Sequence, residues 1–532
     1  MKVAFHTLGC KVNQYETESM REKFSKAGHV VVGENDIADA YIINTCTVTA
    51  LADRKSRQYI RKMKKLNPKA IVLVTGCYVQ VSPDEVAGIK GVDIICGTNE
   101  KENVLGYIED FYSRKYGSDI CALGYSTEDI KGEEDKSYCS HVLPTVESGH
   151  PDLNKSDDEI CPAEKSKGGV VFGCLSSDFG SETEGKLGGE SFGTESKRQI
   201  SGAVVGTKGE EVSNGTGSEV ERHIKKYSEL SEYKTGGVIT SMESRRRAYI
   251  KIEEGCDRFC TYCIIPFARG PVRSRDTEEI ITEAKTLVRQ GFKELILTGI
   301  NTALYGDLPG LLKELDEIKG DFRIRLSSLE PTVIDTEDVK KILGARRLCH
   351  HLHLSAQSGS DKILDSMNRF YNRRKYLEIV KVIKDFDPFY GITTDIIAGF
   401  PGETEEDHGE SLSLIREAEF CKVHAFGYSK RPGTKAADMK GQISSPVKKS
   451  RVKELISIGE EVSKTFMKKN IGRKERVLFE EASGNKMTGY TGNYIKAYGN
   501  LDENLLGKLV EVEIKGLTRD GVIVNPLPTE ED

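Results

Sequence analysis

Residues 255–263 read Gly-Cys-Asp-Arg-Phe-Cys-Thr-Tyr-Cys and directly follow an apolar, strand-like run at 248–253. The cysteines Cys256, Cys260 and Cys263 are therefore spaced C-x3-C-x2-C on one short loop. Three thiolates on such a loop can ligate three irons of a [4Fe–4S] cube and leave the fourth iron open to a small molecule. The alternatives are a zinc loop that lacks its fourth ligand, or three unrelated thiols.

The sequence around this loop alternates strand-like and helical patterns, which is typical of a parallel α/β architecture. Six strands are predicted, at 248–253, 294–298, 323–328, 351–356, 393–398 and 423–428. Six β/α units predict a partial (β/α)6 barrel in a central domain at 236–466. The helix that follows the cysteine loop is predicted to take Thr277 as its N-cap and to end at Gly291.

A second α/β region precedes the barrel, at 1–114. Strands predicted at 2–5, 40–43, 70–74 and 92–95 alternate with helices and indicate an open parallel sheet. Cys10, Cys46 and Cys77 each fall just past the carboxyl end of one of these strands. Ligands bind at that edge of an open α/β sheet, and adjacent strands are about 4.8 Å apart, so the three thiols could converge on one cluster. The alternative is that they are small buried core residues.

Residues 115–235 differ in composition from the regions on either side. They contain 17 glycines, 14 lysines and arginines, and 23 aspartates and glutamates, and they show little periodicity. This composition predicts an acidic, Gly/Ser-rich insertion or linker that is largely disordered. It holds Cys121, Cys139, Cys161 and Cys174, whose spacing matches no zinc-binding pattern, and we assign these cysteines no role.

Bulk composition excludes several classes of protein. The chain has 532 residues, of which 37% are hydrophobic and 30% charged, and this is typical of a globular protein of about three domains. No apolar run reaches the roughly 18 residues that a membrane span needs, and no secretory leader precedes His6. We therefore expect a cytoplasmic protein without a membrane partner. Thirteen cysteines in that compartment favour metal binding or catalysis over disulfides.

The carboxyl-terminal region combines a basic segment with a small β-domain. Residues 422–475 hold 14 lysines and arginines against 5 acidic residues, which favours a phosphate-binding surface, although a solvated helical face is the alternative. Short strands at 467–532 predict a small antiparallel β-barrel of the OB-like kind. There Tyr490, Tyr494 and Lys496 could form an RNA-binding surface, or the tyrosines could fill the barrel.

Four motifs together resemble the tRNA methylthiotransferase family of radical S-adenosylmethionine (SAM) enzymes. They are Glu-Gly-Cys to Ala-Arg-Gly at 254–270, Thr-Leu-Gly-Cys-Lys-Val-Asn at 7–13, Asn-Thr-Cys-Thr-Val at 44–48 and Thr-Gly-Cys-Tyr-Val-Gln at 75–80. The resemblance implies a catalytic [4Fe–4S] cluster on the 255–263 loop, which binds SAM and reductively cleaves it to a 5′-deoxyadenosyl radical. It also implies an auxiliary [4Fe–4S] cluster on Cys10, Cys46 and Cys77, which takes part in catalysis as the carrier of the inserted sulfur.

The resemblance also implies roles for residues around the barrel. The residues expected near SAM are Tyr262, Thr298, Gly299, Asn301 and Gly399. Arg269, Arg273 and Arg275 directly follow the cysteine loop and could contact RNA phosphate, or they could cap barrel carbonyl groups. His351, close to two further histidines at a strand start, is predicted to be structural.

Within the family, residues 297–306, 323–331 and 428–434 look most like the subgroup that acts on N6-threonylcarbamoyladenosine (t6A) at tRNA position 37. The product there is the 2-methylthio derivative. The last domain resembles TRAM, an RNA-binding module. The resemblance implies tRNA as the substrate and an electron donor such as flavodoxin or ferredoxin, and we expect a monomer. It covers about 1–112 and 240–532, and the acidic insertion departs from the family pattern.

Other readings of the motifs remain open. A related enzyme with the same two clusters would act on N6-isopentenyladenosine in tRNA or on a ribosomal-protein aspartate, so only the substrate distinguishes these enzymes. A non-catalytic iron–sulfur regulator is an alternative of another class. It would bind RNA and iron but would never cleave SAM.

Overall fold

The computed structural model describes residues 1–116, 220–230, 233, 237–240, 246–331 and 334–528. The predicted insertion at 115–235 falls almost entirely outside these ranges, as do its four cysteines, so the prediction of disorder stays a prediction. Within the described ranges, no helix is both long and apolar enough to cross a membrane.

The amino-terminal domain is an open parallel sheet, as predicted. Its strands are β1 (Lys2–Thr7), β2 (Val30–Val32), β3 (Ala40–Thr45), β4 (Ile71–Gly76), β5 (Ile94–Cys96) and β6 (Glu221–His223), in the order β2-β1-β3-β4-β5-β6. Its helices are α1 (Lys11–Lys26), α2 (Ala50–Leu66), α3 (Cys77–Val81), α4 (Pro83–Ala87) and α5 (Val104–Tyr116). Apolar clusters lie on both faces of the sheet, so β3 and β4 are buried along their whole length.

The sixth strand of this sheet comes from the far end of the predicted insertion. β6 pairs in parallel with β5 and sets His223 opposite Cys96. The domain boundary predicted at residue 114 is therefore incomplete, because residues 221–223 also belong to the sheet. A three-residue strand shows no periodicity of its own, and the acidic, glycine-rich composition before it indicated a linker.

The central domain is the predicted partial barrel of six β/α units. Its strands are β7 (Arg247–Lys251), β10 (Glu294–Thr298), β11 (Arg323–Leu326), β12 (Ser328–Leu329), β13 (His351–Leu354), β14 (Gly391–Ala398) and β15 (Lys422–Gly427), with β8 (Glu253–Glu254) and β9 (Arg273–Ser274) as a short hairpin. The barrel strands are all parallel, in the orders β11-β10-β7 and β12-β13-β14-β15. The third predicted strand is thus split into β11 and β12.

The barrel helices surround these strands. They are α6 (Ile265–Arg269), α7 (Thr277–Arg289), α8 (Leu308–Asp316), α9 (Thr336–Leu343), α10 (Asp361–Ser366), α11 (Arg373–Phe386), α12 (Glu405–Ala418), α13 (Lys435–Asp438) and α14 (Ser445–Lys469). The N-cap of α7 is Asp276 rather than Thr277, because the Asp276 carboxylate accepts the first backbone N–H groups of the helix. The barrel core includes Tyr15 from α1, so the two domains share a packed interior.

The carboxyl-terminal domain is a closed five-stranded barrel. Its strands are β16 (Lys474–Ser483), β17 (Lys486–Thr491), β18 (Lys496–Asn500), β19 (Leu509–Leu517) and β20 (Val522–Pro526), in the order β16-β17-β18-β20-β19. The small barrel is as predicted, but it is not antiparallel throughout. The closing pair β18–β20 is parallel, because a long connection through β19 returns the chain to the same end.

Candidate active site

The three amino-terminal cysteines lie at the carboxyl edge of three neighbouring strands. Cys10 is the N-cap of α1 after β1, Cys46 follows β3 directly, and Cys77 begins α3 after β4. Strands β1, β3 and β4 are adjacent in the sheet, which brings the three residues to one edge. Cys10 is exposed whereas Cys46 and Cys77 are buried, so the edge is open to solvent on the Cys10 side. We call these three residues the sheet-edge trio.

The thiols of the sheet-edge trio influence one another. Burial, and after it the neighbouring thiols of Cys77 and Cys10, raise the pKa of Cys46 to about 12. Burial also raises the pKa of Cys77, against the opposing effect of the Arg269 guanidinium. Grouped thiols of this kind stay protonated by themselves, but bound metal ions deprotonate their thiol ligands outright. The donor set therefore fits a metal cluster.

The second set of cysteines, which we call the loop trio, follows β8. Cys256 and Cys263 are half-buried and Cys260 is buried. The Cys256 N–H donates to the carbonyl oxygen of Gly270 at 3.1 Å, and the Cys263 N–H donates to that of Cys260 at 2.9 Å. Burial raises the pKa of Cys256 to about 12, with a contribution from the Cys260 thiol. Burial and the Cys260 thiol likewise raise the pKa of Cys263.

Both trios fit a cluster better than a single ion. Within the described part of the chain, no three Cys, His, Asp or Glu side chains converge as one metal ion requires. In a [4Fe–4S] cluster each thiolate binds a different iron, so the sulfurs stand farther apart than around one ion. Three cysteines at each site are the ligand number of a cube whose fourth iron is left to another molecule.

Two glycines permit these arrangements. Gly255, directly before Cys256, has φ +88°, and a Cβ added there would lie 1.8 Å from the carbonyl oxygen of Pro271. Gly76, directly before Cys77, has φ +103°, and a Cβ there would lie 2.3 Å from the carbonyl oxygen of Thr45. Each position combines the left-handed region with a backbone contact too close for any side chain.

The residues expected near SAM after β10 lie beside the loop trio in a polar cluster. The Thr298 hydroxyl is buried without a hydrogen-bond partner in the described residues, and so is Oε1 of Glu253. The other Glu253 oxygen accepts the Asn301 N–H at 2.9 Å and would lie 2.7 Å from a Cβ on Gly299. Burial raises the pKa of Glu253 to about 8. Buried polar atoms without partners indicate room for a polar ligand at this point.

Sequence reasoning missed the acidic residues of this cluster. Asn301 donates from Nδ2 to Glu330 Oε2 at 2.8 Å, and Arg369 pairs with the other Glu330 oxygen at 3.3 Å. Arg369 also donates from Nη1 to Cys260 Sγ at 3.2 Å. The position of Glu330 and Glu253 at strand ends, next to the cysteine loop in the barrel order, was the available signal.

The remaining two residues expected near SAM lie on either side of an aromatic cluster. The Tyr262 ring is half-buried and meets the Phe400 ring edge-on at 6.5 Å between centroids. Gly399 follows β14 with φ +73° and donates its N–H to Glu403 Oε2 at 2.5 Å. A Cβ on Gly399 would lie 2.4 Å from Cγ of Lys448, so packing against α14 explains the glycine. A contact of either residue with SAM remains a prediction.

The arginines expected at an RNA surface are buried at the domain interface, which corrects that prediction. Arg269 is 0% exposed, and Arg273 and Arg275 are also buried, so none can reach an RNA phosphate. Arg273 instead donates to the carbonyl oxygen of Arg269, at the end of α6, at 2.5 Å. Arg275 pairs with Glu283 and donates to the Tyr15 hydroxyl at 3.2 Å.

Arg269 lies in a buried ionic network that joins the two domains. Its Nη1 pairs with Glu16 of α1 at 2.5 Å and with Glu254 of β8 at 3.0 Å. Lys101 and Lys251 also pair with Glu16. Burial alone would raise the pKa of Glu16, but the three cations hold it well below its usual range. The amino-terminal domain is thus fixed to the barrel by buried groups of opposite charge.

The tyrosines of the last domain are also turned inward. Tyr490 and Tyr494 stack on each other with 5.3 Å between centroids, and Tyr494 stacks on His351 at 4.4 Å. The Arg247 guanidinium covers the Tyr490 ring at 5.1 Å. Their ring faces are occupied by the start of the central barrel, so they cannot stack on RNA bases as well. Lys496 remains half-exposed and lies 3.4 Å from Asp520.

Lys11 directly follows the first cysteine and was not singled out by sequence reasoning. It is half-buried, and its ammonium makes no hydrogen bond or ion pair with any residue that the structure describes. Burial, Arg325 and Arg247 lower its pKa to about 8. Its charge also lowers the pKa values of His351 and His424, which lie on barrel strands. The Lys11 side chain therefore leads from the sheet-edge trio towards the barrel.

Comparison with known proteins agrees with this architecture. Residues 250–415 match the model of the Radical SAM superfamily, and residues 2–97 match the model of Uncharacterized protein family UPF0004. The fold is similar to that of the radical S-adenosylmethionine methyltransferase TsrM from Kitasatospora setae, with a TM-score of 0.50 at 12% identity over 82% of this chain and 77% of that one. The barrel and its cysteine loop define a radical SAM enzyme.

Relatives that match over nearly the whole chain identify the family within this class of enzymes. The chain is 35% identical to threonylcarbamoyladenosine tRNA methylthiotransferase MtaB of Bacillus subtilis, over 96% of this chain and 93% of that protein. It is 34% identical to MtaB of Aquifex aeolicus, over 97% and 100%. A tRNA-2-methylthio-N(6)-dimethylallyladenosine synthase of Carboxydothermus hydrogenoformans is 29% identical, over 97% and 98%. The chain belongs to the threonylcarbamoyladenosine tRNA methylthiotransferase family, which confirms the predicted family and subgroup.

Proposed function

We propose that this enzyme inserts a methylthio group at C2 of t6A at position 37 of tRNA. The observation that carries the proposal is the presence of two separate cysteine trios, one of which is contacted by Arg269, a buried residue from the domain of the other trio. This arginine follows the loop trio on α6 and reaches Cys77 of the sheet-edge trio. Family membership supports the reaction, and the surroundings of Lys11 support the choice of substrate.

Each trio would hold one [4Fe–4S] cluster, with SAM at the loop trio. When bound, these groups supply reductive cleavage of SAM and a methylated sulfur. The chain contributes the surroundings: Arg369 and Arg269 each donate to one ligand sulfur, and Glu330 holds the Asn301 amide in place beside the loop. Arg269, Asn301 and Glu330 are themselves buried.

Lys11 suits the substrate because t6A carries the carboxylate of its threonyl group, whereas N6-isopentenyladenosine carries an apolar chain. An ammonium that makes no ion pair with any described residue, beside the first ligand cysteine, can bind that carboxylate. An apolar group there would leave the cation desolvated and unpaired, which is unfavourable. The charge of Lys11 thus favours t6A over the isopentenyl substrate.

For tRNA we propose a second contact surface on α14. Lys453, Lys464 and Lys468 are exposed, and their spacing sets them on one face of this helix, within the basic segment 422–475. Charge reversal of the three lysines is expected to weaken tRNA binding and to reduce its salt dependence in filter-binding assays. The proposed enzyme works as a cytoplasmic monomer with an electron donor such as flavodoxin or ferredoxin.

The test is expression in bacteria that lack their own tRNA methylthiotransferases, followed by mass spectrometry of the digested tRNA nucleosides. We expect 2-methylthio-t6A with the native chain and none with Cys46→Ala. Cys96→Ala is the matched control, since Cys96 is also buried, at the end of β5, but belongs to neither trio.

Other products would change the proposal in defined ways. The isopentenyl product alone would keep the chemistry and refute the substrate. No modified nucleoside, from an iron-loaded chain that binds tRNA but never cleaves SAM, would favour the non-catalytic regulator. SAM cleavage without a modified nucleoside would favour the ribosomal-protein aspartate.

A further inference from the structure

One sulfur in each trio accepts a hydrogen bond from a buried arginine. Arg269 Nε donates to Cys77 Sγ at 3.2 Å, and Arg369 Nη1 donates to Cys260 Sγ at 3.2 Å. The two contacts have the same length but different origins. Arg369 and Cys260 both belong to the central domain, whereas Arg269 crosses from the central domain to a cysteine of the amino-terminal sheet.

The other contacts of Arg269 fix the direction of its Nε. Its Nη1 is held by Glu16 and Glu254, and its Nη2 donates to Oδ1 of Asn13. The planar guanidinium has a rigid fork of donors, so holding two nitrogens orients the third. Arg269 is 0% exposed, so bulk solvent does not compete with the sulfur as acceptor. The Nε–H is therefore dedicated to Cys77.

Hydrogen bonds to ligand sulfurs, together with nearby positive charge, raise the reduction potential of an iron–sulfur cluster, because they stabilise its more negative reduced state. We propose that Arg269 is a positioning residue that sets the reduction potential of the cluster on the sheet-edge trio. It does so from the neighbouring domain, so the redox property of one centre depends on how the other domain is docked. This inference rests on the proposed assignment of a cluster to Cys10, Cys46 and Cys77.

The experiment uses the full chain with Cys256, Cys260 and Cys263 changed to alanine, so that only the sheet-edge trio is loaded. Potentiometric titration followed by electron paramagnetic resonance (EPR) gives the midpoint potential. We expect Arg269→Lys to shift it to a more negative value and Arg269→Gln to shift it further. Arg269→Lys keeps the charge that Glu16 and Glu254 require, so it is the variant expected to fold.

Arg275→Lys is the matched control. Arg275 is also buried at the domain interface, where it pairs with Glu283 and contacts Tyr15, but its hydrogen bonds do not reach a cysteine. We expect its midpoint potential to equal that of the parent chain. An equal negative shift in both variants would overturn the proposal, because it would show a general effect of interface damage.

A second measurement does not depend on a shift in midpoint potential. Pulsed EPR of the reduced parent chain, labelled with 15N-arginine, should detect a 15N nucleus coupled to the cluster, and Arg269→Lys should remove the coupling. Absence of the coupling in the parent chain would overturn the proposal. A loaded cluster whose potential is insensitive to Arg269 would refute the role of Arg269 alone, whereas a chain without iron would refute the cluster assignment together with it.

Discussion

The two cysteine trios have the same number of ligands, but their cysteines are brought together in opposite ways. The loop trio is local: Cys256, Cys260 and Cys263 lie within eight consecutive residues of one loop. The sheet-edge trio is non-local: its cysteines follow three different strands, and only the order β1-β3-β4 makes them neighbours. The loop trio is specified by a short stretch of sequence, whereas the sheet-edge trio comes together only when the sheet has formed.

The difference predicts different sensitivities. A local site depends on the conformation of a few residues, whereas a site at a sheet edge depends on register and on whatever packs against that edge. Arg269 packs against this sheet edge, and it belongs to the central domain, which also carries the loop trio. The loop trio should therefore withstand damage to the amino-terminal domain, while the sheet-edge trio should be sensitive to damage in both domains.

The largest expected effect distinguishes the two trios by the reaction that each of them serves. Cys260→Ala should abolish reductive SAM cleavage, because it removes a ligand of the cluster that binds SAM. Cys46→Ala should leave SAM cleavage intact and abolish methylthiolation, measured as 5′-deoxyadenosine release and as nucleoside product in the same reaction. Full cleavage by Cys260→Ala, or normal product from Cys46→Ala, would contradict the division of roles.

Next in size is the effect of alanine at the two constrained glycines. Left-handed backbone costs about 1–2 kcal/mol for a residue other than glycine, and the close carbonyl contact adds to this. We expect Gly255→Ala to lose the iron of the loop trio and Gly76→Ala to lose that of the sheet-edge trio, each halving the iron content per chain.

Two glycines in open space serve as controls for this pair. A Cβ on Gly106 of α5 or on Gly409 of α12 would meet no atom within 4 Å. Alanine at either position should leave the iron content unchanged. Full iron content in Gly255→Ala and Gly76→Ala would show that the loop and the edge tolerate a different backbone.

A smaller effect concerns the substrate at the sheet-edge trio. Hydrogen bonds to charged groups contribute about 1.5–3 kcal/mol, so Lys11→Met should lower kcat/KM for t6A-containing tRNA by about tenfold or more. The loss should fall mainly on KM, and Lys11→Arg should restore part of it. Lys26→Met is the control, because Lys26 lies on the same helix, is exposed and pairs with Glu22. Unchanged kcat/KM in Lys11→Met would remove this support for t6A.

The effect expected to change activity least is a pH dependence of the stability of the central barrel. Burial lowers the pKa of His424 to about 4, from 6.5 in the unfolded chain. Below pH 6.5, His424 is therefore protonated in the unfolded state but not in the folded state. The free energy of unfolding that is present above pH 6.5 is lost progressively as the pH falls towards 4. The difference between these two pKa values corresponds to about 3 kcal/mol of unfolding free energy. His424→Gln should reduce this loss in unfolding midpoints compared at neutral and acidic pH; parallel loss in both chains would exclude His424 as the cause.

The contrast between the trios also explains what could be predicted from the sequence. The spacing of the loop trio is a local pattern, and the strand–helix alternation is strong enough to set Cys10, Cys46 and Cys77 at one sheet edge. The network of Arg269 is beyond such reasoning, because its partner Glu16 lies 253 positions away. Charged residues are rarely buried unless they are paired, and the pairing is visible only in the folded chain.

The last domain shows the same limit. Tyrosines alternating with lysine on a small barrel are typical of an RNA-binding face, but Tyr494 stacks on His351 of another domain. Local composition describes what a surface could bind. It does not tell which surface the rest of the chain already covers.

The position of β6 has a practical consequence for anyone who wishes to isolate the amino-terminal domain. During synthesis, β5 lacks its neighbour β6 until the ribosome has passed residue 223, because the residues between β5 and β6 are made first. A fragment that stops at residue 116 would keep β5 as an open edge of apolar residues next to Cys96, and such edges pair with one another. That fragment should self-associate, whereas a fragment that rejoins residue 116 to 220 through a short linker should stay monomeric.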